Sequence, residues 1–121
     1  MSAARRFVLL RHEGYGALHF DLMIEDGAAL ATWQFEFSPV LLAPGGSFAC
    51  RRLAQHRTAY LDYAGPVSGD RGSVHRTDHG TCDVIANTNS RWELEFAGAA
   101  LHGRFVLKRT GDTTFWILTH N

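Results

Sequence analysis

Hydrophobic and polar positions alternate along this chain in short runs of period two. The clearest run, His19 to Glu25 (HFDLMIE), sets Phe20, Leu22 and Ile24 on one face and His19, Asp21 and Met23 on the other, the signature of a half-buried strand. Arg6 to His12 (RFVLLRH) reads as the strand before it, and the two glycines of EGYGAL between them mark a hairpin connection. Asp26-Gly27 is a second turn signal. Ala29 to Phe37 (ALATWQFEF) then reads as a third strand, so the first third of the chain predicts a β-meander.

The rest continues in the same way. Ser38 to Gly46 (SPVLLAPGG), with its prolines and Gly-Gly pair, predicts a loop, and Ser47 to Leu53 a strand. Gln55 to Tyr63 has no clear period and suits one short helical turn, and GPVSGDRG is turn-rich. Strands are predicted at Ser73 to Arg76, Thr81 to Ala86, Arg91 to Ala97, His102 to Arg109 and Thr114 to His120. Gly80, Asn87-Thr88-Asn89, Gly98 and Gly111-Asp112 punctuate them. Short strands at this spacing predict an all-β barrel or sandwich. There is no long amphipathic helix, repeat, low-complexity tract or linker.

A chain of 121 residues suits a single domain over 1–121, large enough to bury a core without disulfides. Cys50 and Cys82 lie far apart and read as small buried hydrophobes rather than a zinc knuckle. No apolar run approaches the roughly 18 residues of a membrane span, and MSAARRF lacks a signal-type apolar region. The expected location is therefore the cytoplasm, with no membrane partner. The formal net charge of zero gives no bulk footprint for duplex nucleic acid and leaves only a local basic patch. Lys108 is the only lysine; the remaining basic side chains are arginines, whose planar fork suits phosphate.

The candidate chemistry sits on the early hairpin. His19 and Asp21 are two apart on a strand and share a face. His12 ends the preceding strand across the loop, and facing hairpin positions bring Cβ atoms about 5 Å apart. Two imidazoles and a carboxylate suit zinc, manganese or iron, with positions left for water or substrate. The competing reading is that these are ordinary solvated or hydrogen-bonded strand residues.

The order of motifs along nearly the whole chain resembles the 3′-phosphoesterase module of bacterial DNA ligase D. That family's F-V-I-Q-K-H and H-Y-D-F-R-L, followed by D-G and a W-x-V strand, correspond to FVLLRH and HFDLMIEDGAALATWQF here. RRLAQHRTAYLDYAG is similar to its R-L-A segment and H-P-L-D-Y-A stretch, and TDHGTCDV to its W-D-x-G-T strand. LHGRFVLKRT resembles L-x-G-R-W-V-L-x-R-T, and FWILTHN resembles the W-L-L-x-K-H ending.

The resemblance implies a small β-barrel with little helix. It implies a hydrolase of DNA or RNA 3′ ends that trims a terminal ribonucleoside and removes the 3′-phosphate in repair. It further implies a divalent metal, typically manganese, held by His12, His19 and Asp21, while the donor set itself leaves zinc or another transition metal open. His56, Tyr60 and Arg52 fall on the family's further active-site positions. In that scheme His56 donates to the phosphate or leaving group, Arg52 stabilises charge on the equatorial oxygens, and Tyr60 hydrogen-bonds the phosphate. The partners implied are nucleic-acid 3′ ends and a separate ligase or polymerase.

The departures cluster on phosphate handling. Met23 stands where the family has an arginine, and Leu10 where it has a glutamine; Arg11, Arg51, Arg57, Arg71 and Arg76 are the candidates to replace the lost arginine, and the sequence does not place them. The His12 to His19 interval is longer, and the glycine-rich segment is shortened to PVSGDRG. An active but altered phosphoesterase therefore competes with a non-catalytic relative that binds metal or nucleic-acid ends. A metal-free interaction barrel is the third class.

Overall fold

The computed structural model describes residues 4–112 and 114–121; the first residues of MSAARRF lie outside them. The meander predicted from the alternation forms β1 (Ala4–Glu13), β2 (His19–Asp26) and β3 (Ala29–Phe35). A short 3-10 turn at Pro39–Leu41 leads to β4 (Ser47–His56). A second 3-10 turn, Thr58–Leu61, and the two-residue β5 (Gly65–Pro66) precede β6 (Ser73–Asn87). The chain ends in β7 (Arg91–Gly98), β8 (His102–Arg109) and β9 (Phe115–His120).

All pairings are antiparallel, in the order β1-β2-β3-β4-β9-β8-β7-β6-β5. β1 also pairs with β6, which closes eight strands into a barrel and removes the open edges. The expected all-β barrel with little helix is thus what the chain forms. No helix among the described residues is long and apolar enough to cross a membrane.

The interior follows from the alternation. Phe7 and Leu9 of β1, Leu22 and Ile24 of β2, and Trp33 and Phe35 of β3 are buried in the barrel core with Trp92, Phe96, Phe105 and Trp116. Trp33 meets Trp92 edge-on at 5.0 Å and Trp116 at 5.7 Å, pairings worth about 0.5–1.5 kcal/mol each beyond area burial. Cys50 and Cys82 are buried free thiols in the same core, as the spacing predicted.

A second, smaller core lies outside the barrel wall. Val8, Leu10, Met23, Leu30 and Val74 on the outer face are covered by Leu61, Tyr60 and Val67. Arg6 clamps this covering segment through Asp62 at 2.6 Å, and Arg76 through the Leu61 carbonyl at 3.1 Å. Apolar residues on both faces of β1 explain its near-continuous hydrophobic run, FVLL.

One predicted break is absent. Ser73 to Arg76 and Thr81 to Ala86 belong to a single 15-residue strand. Gly80 does not interrupt it because it faces Phe7 on one side and Gly98 on the other. A Cβ at Gly80 would run into the Ala97 carbonyl, so the glycine allows a close strand approach rather than a turn.

Candidate metal centre

The hairpin register pairs His12 directly with His19, and the two rings stand 4.6 Å apart between centroids. Asp21, two residues further along β2, shares their face and is 3% exposed. One ligand atom from each of the three lies within 4.8 Å of the others. The Asp21 Oδ2 atom is 3.5 Å from His19 Nε2 and 3.8 Å from His12 Nδ1. Neighbouring donors on one zinc-sized cation stand about 3.0–3.4 Å apart, so the cluster is close to ligating spacing.

Each imidazole is anchored through its other nitrogen. His19 Nδ1 donates to the Ala17 carbonyl at 3.0 Å, and His12 Nε2 donates to the Arg71 carbonyl at 2.7 Å. These bonds fix the tautomers that leave His19 Nε2 and His12 Nδ1 as lone pairs facing Asp21, the usual arrangement behind a metal-ligating histidine. Asp21 Oδ1 is buried with no hydrogen-bond partner among the described residues, and an orphaned carboxylate oxygen is costly unless a cation meets it. Contact with Asp21 raises the His19 pKa above the ordinary imidazole value, against burial, which lowers it. A proton and a metal ion therefore compete for the same nitrogen.

His56 reaches this site through a bulge. Along β3 and β4, Thr32 faces Leu53 and Leu30 faces His56, so β4 carries one residue more than its partner. The extra residue reverses the alternation. His56 then joins Leu53 on the outer face and enters the cavity that holds His12, His19 and Asp21. Its Nδ1 donates to the Ala54 carbonyl at 2.9 Å, leaving Nε2 free. Tyr60, on the 3-10 turn, meets the His56 ring edge-on at 5.8 Å and lines the same cavity of about 300 Å³.

Arg52, given a role by motif position, is not among the residues that line this cavity. It faces Trp33 across the sheet, on the inner side of the barrel. Its guanidinium lies 4.8 Å from the Trp33 ring and 5.5 Å from those of Trp92 and Trp116. Burial lowers its pKa from the ordinary arginine value, partly opposed by Asp26.

Met23 lies on the cluster's face, as the alternation predicted, and is buried in the outer core beneath the site. Beyond its apolar lining, the cavity holds Gln34 and Tyr15, which the sequence did not single out, and Arg71, one of five arginines the sequence offered in place of the family's. Gln34 pairs with Asp21 across β2 and β3, so its outward position on the alternating third strand was the available signal. Tyr15 stacks on His12 at 6.3 Å from the connecting loop. Arg71 comes from the turn-rich PVSGDRG stretch, where no periodicity gives a direction. That loop is seated by Gly72, whose φ is +73° and where a Cβ would collide with the Glu13 carbonyl. The seat brings the Arg71 carbonyl onto His12, while its guanidinium donates to the Ser68 carbonyl at 2.7 Å.

The chain matches no protein-family model and no curated protein sequence.

Proposed function

We propose that this chain is a divalent-metal-dependent phosphoesterase acting on the 3′ ends of DNA or RNA, a relative of the ligase D phosphoesterase module. The observation that carries the reading is the pair of anchored imidazoles facing a buried carboxylate with an orphaned oxygen, with His56 and Tyr60 in the same cavity. Two nitrogens and one carboxylate suit manganese or zinc, manganese being the first to test. A cation held by His12, His19 and Asp21 supplies Lewis-acid polarisation of a phosphoryl oxygen.

The chain's own residues supply the rest. His56, its Nδ1 fixed on Ala54, donates a proton from Nε2 in its imidazolium form to the 3′ oxygen as the P–O bond breaks. Water adds to phosphorus and releases its proton to solvent, leaving a 3′-hydroxyl and inorganic phosphate. Tyr60 hydrogen-bonds a phosphate oxygen. Arg71, which lines the cavity, is the candidate cation for the equatorial oxygens once its guanidinium leaves the Ser68 carbonyl. A cytoplasmic location and work beside a separate ligase or polymerase in end repair go with the same proposal.

The test is release of phosphate from a 3′-phosphorylated oligonucleotide, both single-stranded and annealed in a primer-template, by the purified protein with manganese. His19→Ala is expected to abolish release, and His56→Ala to slow it by about 10²–10⁴ with metal retained. Absence of release with manganese bound would overturn catalysis. It would leave the second reading, binding of metal and nucleic-acid ends without turnover, which the buried Met23 at the site's floor favours.

A further inference from the structure

A larger groove of about 520 Å³ adjoins the cluster cavity and shares Tyr15, His19 and Gln34 with it. It runs over the outer faces of β3, β4 and β9 to Phe115 and Arg51, which are direct partners across β4 and β9. Its rim is apolar and open: Tyr15 is 54% exposed, Leu18 41% and Phe115 48%. All three line one groove that borders the polar cluster. The Arg51 guanidinium lies 5.4 Å from the Phe115 ring, so the far end offers a ring face together with a positive charge. A smaller cavity behind Tyr60 touches none of the three cluster residues, whereas His19 belongs to both the cluster and this groove.

We infer that the groove takes the nucleoside attached to the phosphate, in unpaired form, at the 3′ end of a single strand. The inference rests on the phosphoesterase reading and names its substrate class. A phosphate seated at His12, His19 and Asp21 fills only part of the cluster cavity, and the sugar and base to which it is bonded must leave that cavity. His19, Gln34 and Tyr15 line both the cavity and the groove, so the groove is the neighbouring space for that sugar and base. An aromatic face with an adjacent arginine is the common platform for an unpaired base, and it accepts any base because each has a π-face. Arg51 also answers the charge of the next phosphodiester.

The experiment measures binding of a 3′-phosphorylated single-stranded oligonucleotide by fluorescence anisotropy with manganese present, alongside an oligonucleotide whose terminal nucleoside lacks its base. The wild type is expected to bind the base-bearing end about tenfold more tightly. Phe115→Ala is expected to erase that difference and Phe115→Trp to keep it. Manganese binding by both variants should match the wild type, showing that the half-exposed Phe115 is not needed for folding. Equal affinity for the two ends, or a Phe115→Ala protein that still discriminates, overturns the inference. Turnover without base discrimination sinks the groove and leaves the phosphoesterase standing. Base discrimination without turnover sinks catalysis and supports the groove. Failure to bind either end overturns both.

Discussion

Arg52 and His56 lie four apart on the same strand yet point to opposite sides of the barrel wall. Arg52 faces inward over Trp33, and His56 faces outward into the cluster cavity. An even separation along a regular strand keeps two side chains on one face. The bulge between Leu53 and His56 breaks that rule, and it separates a structural cation from a candidate proton donor.

The first prediction follows from this division. Arg52→Ala removes a guanidinium that caps three buried indoles and should destabilise the fold by about 1–3 kcal/mol. Tryptophan emission in a urea titration reports both the stability and the changed cage. Manganese affinity should be unaltered. Unchanged stability together with lost turnover would return Arg52 to the reaction.

Much of the barrel was legible because period two is a direct physical signal: one face is dry and the other is not. The same signal put His19, Asp21 and Met23 together, and the hairpin brought His12 opposite His19. Its failures have two causes. Bulges are invisible in an alternation, and they decide the sides of Arg52 and His56. Long-range seating is invisible too. Nothing near Arg71 announces that Gly72 fits against Glu13 and so delivers the Arg71 carbonyl to His12. Gly80 misled for a related reason, since a glycine needed for close strand packing looks like one needed for a turn.

Asp21 carries the second prediction. In the metal-free protein its buried carboxylate has an oxygen without a partner, so the isosteric Asp21→Asn should leave the metal-free melting temperature equal or raise it. The wild type should gain about 2.7 kcal/mol at manganese concentrations near 100 times Kd, and a chelator should reverse the gain. Asp21→Asn should lose most of it. A metal-dependent stabilisation that survives the substitution would exclude Asp21 as a ligand.

Asp78 is the buried carboxylate with a purely structural task. It is 3% exposed and accepts the backbone N–H groups of Ala99, Ala100 and Leu101 at 3.0, 3.3 and 2.7 Å. These bonds hold the β7–β8 turn against the barrel end. Asp78→Ala strands three donors and should cost about 2–4 kcal/mol. Gly98→Ala should also be costly, because a Cβ there meets both Asp78 Oδ2 and the Phe7 ring. The two substitutions should be less than additive in a double-mutant cycle, since both disturb one contact. Strict additivity would place the damage elsewhere.

The cysteines give the pH prediction. Burial pushes both thiols from 9.0 up to about 12. In the unfolded chain they return to the ordinary value, so between the two values the unfolded state holds fewer protons than the native one. Stability is then fully present below the unfolded value and declines as pH rises towards 12. The slope contributed by each thiol is at most about 1.4 kcal/mol per pH unit. Denaturant titrations across alkaline pH should show this decline, and Cys50→Ala with Cys82→Ala should flatten it. At pH 8 the native protein should resist a thiol-specific disulfide reagent, and both thiols should react once urea unfolds the chain. Rapid native labelling, or a slope untouched by the double substitution, would mean that the thiols ionise freely in the folded barrel.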